Sequence, residues 1–514
     1  MATPIPIPTA NAVDRRLWIL AVIVVALHVI VNVITPYGIH RDEFLYAAMG
    51  RHLSLFRMDF PPLIAIIAEA ERAVFGDTIW GLRMVPAVAH GALVLLTARI
   101  AAELGGQHRA QWLAALTVTL TPLMMRAGSL FQPVILDQVA WTVGFLALVM
   151  IARDNRPRWW IVLGLAGGFG LLAKFSIAFF AVGAAVGIIF SPRRAALLTP
   201  WPWVAALIGL VIGAPSIVGQ VVLGWPVTIQ MQDLQASQLA VVTPGAFLTE
   251  QLLYGPIAWL GVLGLGALVL TRALRWARLV AISAVAITAL LIILHGKAYY
   301  LGPIWPALAA AGAVWLCSVT HTRFRAIVPA FALIAILFGI LIAIPMGLPI
   351  LPKEQMAAYA ARLGLSSAVT TNRGEVAELP QDFADMLGWE EFVRGVAEVW
   401  NELPESERAT AVLAAGNYGR AGAIDWYGPR YGLPPAICGC GSYWFWGPGD
   451  RRGDVMVIAG GTQDELRTFM TSVTLGRTMT DRWRVGEEQS VPIWIGRGPK
   501  VPLATLWESL RGRN

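Results

Sequence analysis

The densest group of reactive side chains lies near the N-terminus. Tyr37-Gly38-Ile39-His40-Arg41-Asp42-Glu43-Phe44-Leu45-Tyr46 is followed by Arg57-Met58-Asp59-Phe60-Pro61-Pro62. Adjacent carboxylates, with a third before a Pro-Pro turn, suit proton abstraction from an attacking hydroxyl or amine. A departing phosphate needs positive charge, which Lys and Arg supply. Lys174 and Lys297, each flanked by aromatics, are candidates for that role. The plain alternative is that Asp42 and Glu43 cap a surface helix beginning at Phe44, as acids at such positions commonly do. These residues alone weigh the two readings evenly.

The elements that must position them are apolar. Of 514 residues, 57% are hydrophobic and 14% charged, with 50 Gly and 21 Trp. A soluble domain is nearer 45–50% apolar and ~25% charged, so the excess cannot fit one water-soluble core. Gly is frequent in membrane helices and Trp collects at bilayer interfaces. A cytosolic enzyme, a disordered chain and, with three Cys, a disulfide scaffold are excluded. Spanning a bilayer takes about 20 mostly apolar residues. Such runs occur at 17–35, 81–104, 110–125, 131–152, 159–173, 176–190, 201–223, 254–271, 277–294, 301–320 and 324–348, about eleven spans. The first follows Arg15 and Arg16 and lacks a small-residue cleavage site, which reads as a retained anchor.

Charge is unevenly spread: residues 1–351 carry a net +10 and residues 352–514 a net −3. Bases between apolar runs argue for topology and against nucleic acid. Arg15/Arg16, Arg99/Arg109, Arg153/Arg156/Arg158, Arg193/Arg194, Arg272/Arg275/Arg278 and Arg323/Arg325 fall on one consistent side, and the loop 225–253 has no Lys or Arg. By the positive-inside rule the N-terminus is cytoplasmic, and eleven spans leave the C-terminal part outside. Arg126, Lys174, Lys297 and the loop 36–80, with Arg41, Arg51, Arg57 and Arg72 among its acids, are exceptions on the outer side. Ionisable groups there face a cavity or a partner, or they snorkel to headgroups. For Lys174 and Lys297 the aromatic flanks favour a bound anion.

From residue 352 the pattern is that of an ordinary domain. Residues 382–403 read as an amphipathic helix. Short apolar runs at 410–415, 435–438, 455–459 and 491–495 alternate with turns and helical stretches, which predicts a small α/β layer. The aromatics of 416–449 suit a sugar-stacking platform, a surface that dips toward the bilayer, or the core of a loop-rich domain. Cys438-Gly439-Cys440 lacks a second ligand pair, and a direct disulfide at that spacing is strained, so a structural role is expected.

Arg41-Asp42-Glu43 and Asp59-Phe60-Pro61-Pro62 resemble motifs of the family 39 membrane glycosyltransferases, of the C-type superfamily. That family includes protein O-mannosyltransferases and the lipid A aminoarabinose transferase. Leu136-Asp137-Gln138, Lys174-Phe175-Ser176 and Gly296-Lys297-Ala298-Tyr299-Tyr300-Leu301-Gly302-Pro303 are similar too, as are Asn417-Tyr418-Gly419 and Tyr427-Gly428-Pro429-Arg430 in the outer module. The resemblance implies a polytopic all-α membrane domain over 1–351, with a catalytic outer loop at 36–80. A small α/β extracytoplasmic domain follows at 352–514, the whole lying in a bacterial inner membrane with a periplasmic C-terminal part. It implies inverting transfer of a sugar from a polyprenyl-phosphate donor to a lipid, protein or glycan acceptor. Asp42 corresponds to the base and Glu43 to its neighbour. Asp59, Pro61 and Pro62 correspond to the orienting element. Lys297, Tyr299, Tyr300, Lys174 and Arg41 correspond to the donor-phosphate region, and Asp137 to an acceptor contact or a buried structural pair. Many relatives have His where Phe60 stands, so a metal or acceptor contact there is in doubt. Need for a divalent metal is open, and the spacing of His40, His52 and His295 does not demand zinc.

Two rivals are a transporter or flippase for lipid-linked sugar and a non-catalytic envelope-assembly partner. The chain lacks the internal repeat common in transporters, and its acids gather at one surface. No Gly-rich loop for a nucleotide sugar is evident.

Overall fold

The computed structural model describes residues 9–239, 242–320, 326–364, 369–371 and 374–510. Arg323 and Arg325, two of the bases used for topology, lie outside these residues. The first helix, α1 (Leu17–Ile34), buries Leu17, Ala21, Val24, His28, Val31 and Asn32 at helical spacing. Its opposite face presents Trp18, Ile19, Val22, Ile23, Ile30, Val33 and Ile34, each more than half exposed. An outer face of apolar side chains over an inner face holding His and Asn inverts the pattern of a soluble helix. It is the arrangement that lipid solvation favours.

Among the described residues, seven helical stretches are long and apolar enough to cross a membrane: Leu17–Ile34, Ile79–Glu103, Pro133–Asp154, Trp201–Val222, Arg275–Ile293, Ala298–Val319 and Ile327–Gly347. The pairs Ile177–Ile189 with Pro192–Leu198, bent by 106°, and Pro244–Leu253 with Pro256–Leu270, bent by 111°, raise the number to nine if each counts as one span. The two remaining runs expected from sequence are covered by shorter helices. Pro157–Ala173 is one; the other divides into His108–Thr119 and Pro122–Ser129. The division falls where Thr121 precedes a proline and is extended.

Helix contacts in the bundle rest on small residues. A Cβ on Gly264 would collide with the Leu308 carbonyl, and one on Gly312 with the Leu260 carbonyl, so the helices Pro256–Leu270 and Trp305–Val319 meet backbone to backbone.

After the bundle comes a five-stranded sheet: β1 (Val412–Ala415), β2 (Ala436–Ile437), β3 (Val455–Ala459), β4 (Met470–Thr480) and β5 (Ser490–Pro499), in the order β2-β1-β3-β5-β4. The first three are parallel and β5 runs antiparallel to β3 and β4. All five residues of β3 are buried, as expected for a continuous apolar run at the sheet centre. β4 was not visible in the sequence, because as an edge strand it is mostly exposed and carries no apolar alternation. The helix expected over 382–403 is two pieces, Gln381–Ala384 and Trp389–Glu402. Gly388, at φ +71°, breaks it in a conformation that continues no helix. Cys438 and Cys440 are joined directly as a disulfide, against the expectation from their spacing.

The loop after α1, residues 36–80, does not sit apart from the sheet module. Helix α2 (Arg41–Arg51) contributes Phe44, Leu45, Tyr46, Ala48 and Met49 to the core that also holds Trp389, Phe392, Val396, Leu413 and Val457. A Cβ on Gly422 would meet Phe44, so the helix Tyr418–Tyr427 lies directly on α2.

Candidate active site

Asp42 stands in the first turn of α2. That helix begins at Arg41, three residues earlier than expected, and its N-cap is His40. The Asp42 backbone N–H donates to His40 Nδ1 at 3.1 Å, and the His40 N–H donates to Glu43 Oε2 at 2.7 Å. This reciprocal capping box fixes the turn. Two backbone bonds dock it on the sheet module: Gly38 N–H to the Met386 carbonyl at 3.1 Å and Arg41 N–H to the Asp385 carbonyl at 3.0 Å.

The adjacent carboxylates have opposite environments. Glu43 is fully buried and takes Arg83 Nε at 2.8 Å, Arg83 Nη2 at 2.7 Å and the Phe131 N–H at 2.6 Å. Burial alone would raise its pKa, but the Arg83 charge and these donors hold it below the usual range. Asp42 is only partly buried. It accepts the Tyr418 hydroxyl on Oδ1 at 2.8 Å and the Gln132 amide on Oδ2 at 3.3 Å. Glu43 is thus a fixed anchor, and Asp42 keeps accepting capacity on a partly open face.

Opposite Asp42 lies a basic and aromatic group. Lys297 is within electrostatic reach of Asp42, Asp382 and Lys174; burial and the neighbouring Lys174 charge lower its pKa. Its Nζ donates to Gln238. Lys174 Nζ lies 5.1 Å from the centroid of the Tyr299 ring and 4.9 Å from that of Tyr300, while the two rings meet edge-on at 4.6 Å. Aromatic faces hold a cation without neutralising it. Asp137 is occupied locally, accepting Ser176 Oγ at 2.8 Å and Trp141 Nε1 at 2.9 Å. Lys174 is its electrostatic neighbour.

Asp59 stands in a setting of its own. Both carboxylate oxygens accept Ser442 Oγ, at 2.7 and 2.9 Å, and its carbonyl accepts Gln220 Nε2 at 2.5 Å. Burial pushes its pKa up to about 6 against the Ser442 bond. Pro61 and Pro62 are buried and lead into α3 (Leu63–Phe75). Phe60 meets Tyr46 edge-on at 6.5 Å, one turn along α2 from Asp42, so an aromatic contact fills that position. Arg41 faces the Tyr418 ring at 4.9 Å and Glu487 at 3.9 Å.

Residues 59–218 match the family model described as dolichyl-phosphate-mannose-protein mannosyltransferase. A stretch of 152 residues is 24% identical to the lipid A galacturonosyltransferase RgtD of Rhizobium johnstonii. That stretch is 29% of this chain and spans only 32% of that relative's length. The fold matches that of ArnT from Cupriavidus metallidurans bound to undecaprenyl phosphate, with a TM-score of 0.58 over 94% of this chain and 98% of that one at 14% identity. Its apo state matches at 0.58 over 93% and 97%, again at 14% identity. The resemblance to the family 39 membrane glycosyltransferases holds.

Of the residues carrying that family resemblance, the structure gathers Asp42, Lys174, Lys297, Tyr299 and Tyr300 at one end of the bundle. It sets Asp59 on Ser442, Glu43 on Arg83 and Asp137 on Ser176. Sequence reasoning missed the partners Tyr418, Gln132, Gln238, Arg83 and Asp382. Tyr418 lies in the Asn417-Tyr418-Gly419 motif, but nothing in its spacing connects it to a residue 376 positions earlier. Among the described residues no three of His, Cys, Asp and Glu converge as metal ligands.

Proposed function

We propose that the chain transfers a sugar, with inversion, from a polyprenyl-phosphate carrier to an acceptor hydroxyl or amine at the outer face of a bacterial inner membrane. Eleven spans, two of them short and two bent, then put the N-terminus in the cytoplasm and the sheet module on the outer side. Residues 1–351 form the membrane domain and 352–514 the outer domain, with α2 packed into the latter. One observation carries the reading: a partly open carboxylate, Asp42, faces two lysines and two tyrosines across the same end of the bundle.

In the step itself the acceptor heteroatom attacks the anomeric carbon and gives its proton to Asp42. The carbon–oxygen bond to the carrier phosphate breaks, and its electron pair leaves with the phosphate. Lys297 and Lys174 meet that charge, and Tyr299 and Tyr300 hold Lys174 in place. Glu43 acts through Arg83 to fix the turn, Asp59 with Pro61 and Pro62 shapes the loop beside it, and Arg41 supports Tyr418. The acceptor class comprises lipid A, another lipid, protein or glycan.

Purified protein incubated with polyprenyl-phosphate sugars and envelope extract should release polyprenyl phosphate, and Asp42→Asn should not. Stoichiometric movement of intact donor across vesicles without cleavage would make the chain a flippase. No turnover and no donor binding would leave it an assembly partner.

A further inference from the structure

At the other end of the bundle the structure holds an open cavity of about 590 Å³. Helix ends build it: Arg99 and Glu103 from Met84–Glu103, Arg153 and Asp154 from Pro133–Asp154, and Arg156, Arg158 and Trp159 at the start of Pro157–Ala173. Gln132, which binds Asp42, precedes the first residue of Pro133–Asp154, and the cavity sits at its last. Twenty-two residues at 1.5 Å each put about 33 Å between the two ends, the thickness of a bilayer core.

The cavity's acids are already engaged. Glu103, buried, is taken by Arg99 and by Arg153 Nη1 at 3.6 Å. Asp154 is taken by Arg156 Nε at 3.1 Å. Arg158 has no carboxylate partner among the described residues; its guanidinium lies 4.8 Å from the centroid of the Trp159 ring. Four guanidinium groups therefore face two carboxylates. Arg153 Nε and Trp159 Nε1 are buried donors without an acceptor, and Glu103 Oε2, which meets Arg153 only as an ion pair, is a buried acceptor without a hydrogen-bond donor. Arg99, Arg156 and Arg158 are exposed to an incoming anion. Topological arginines snorkel singly into headgroups; these converge on one concavity, next to unfilled donors. Arg158 also heads a stripe formed by Ile161, Leu165 and Phe169, which are 38%, 39% and 52% exposed at i+3, i+7 and i+11. A phosphate bound by the arginines would have hydrocarbon-compatible surface leading directly away from it.

We infer that this cavity is a binding site for an anionic phospholipid of the leaflet opposite Asp42. Its phosphate sits among Arg99, Arg156 and Arg158, and an acyl chain lies along Ile161, Leu165 and Phe169. This site is separate from the proposed transfer reaction and stands whether or not that reaction is correct.

Native mass spectrometry of the full-length protein, released from mixed nanodiscs of phosphatidic acid, phosphatidylglycerol and phosphatidylcholine, tests it. Wild type should retain an anionic lipid in preference to phosphatidylcholine. Arg156→Gln with Arg158→Gln should lower that retention about tenfold or more, given roughly 1 kcal/mol per arginine at a lipid surface. Arg109→Gln, on the same face outside the cavity, should not change it, and the melting temperature should stay at the wild-type value in both variants. Equal retention of phosphatidylcholine, an equal loss in Arg109→Gln, or displacement of the lipid by inorganic phosphate would each overturn the assignment. The last would make this a site for free phosphate.

Discussion

Tyr418 donates its hydroxyl to Asp42 Oδ1 at 2.8 Å, across 376 residues of chain. The bond ties a carboxylate of the loop after α1 to the helix that follows β1, so the sheet module is part of the candidate site's scaffold. Tyr418→Phe removes one charge-assisted bond, of the order of 1.5–3 kcal/mol. Transfer should slow about tenfold or more with donor affinity unchanged, and steady-state kinetics against donor concentration separate the two. A rise in donor KM at constant kcat would contradict a role at Asp42.

Asp42→Asn keeps the size and the Tyr418 contact but loses the proton acceptor. General-base removal is worth 10²–10⁴-fold, so kcat should fall at least about 100-fold while binding of polyprenyl phosphate persists. Single-turnover release of polyprenyl phosphate is the measurement.

Lys297→Met should weaken binding of polyprenyl phosphate by about tenfold or more, the value of an ionic hydrogen bond to phosphate. Lys174→Met should do likewise, because Tyr299 and Tyr300 hold that lysine within electrostatic reach of Lys297. Equilibrium binding in detergent reads both. Unchanged affinity in both variants would remove the phosphate from this end of the bundle.

The Arg83–Glu43 pair has both side chains fully buried. Arg83→Met leaves a buried carboxylate unpaired and should destabilise by about 3–5 kcal/mol. Replacing Arg83 and Glu43 together with apolar residues should recover much of that loss. Thermal melts of the two variants give the comparison.

Asp59 gives a pH signature. Its folded pKa of about 6 lies above the ordinary value of 3.8. Between those values the folded chain holds more proton than the unfolded one, so this residue's contribution to stability falls as pH rises through that window. Asp59→Asn removes the effect. Its melting temperature relative to wild type should therefore be higher at pH 7 than at pH 4, comparing the two at each pH so that other groups, such as Asp385, cancel. A difference constant across pH would exclude Asp59 as the titrating group.

Long apolar runs disclosed the membrane helices, because lipid imposes its demand on composition locally, about 20 residues at a time. The same holds for β1, β3 and β5, whose apolar runs stand out against turns. The reactive loop was legible through residue types packed into a short stretch. Tertiary structure alone decided that Glu43 is a buried anchor and Asp42 the partly open acid, since the two are adjacent and chemically alike. What separates them is Arg83, 40 residues away, and Tyr418, 376 away. It also decided that α2 packs into the sheet module's core, a contact made by shape and by a glycine at 422, and that Asp59 answers to Ser442. Long-range pairing of single polar groups leaves no periodic mark on a chain, so only the folded arrangement reveals it.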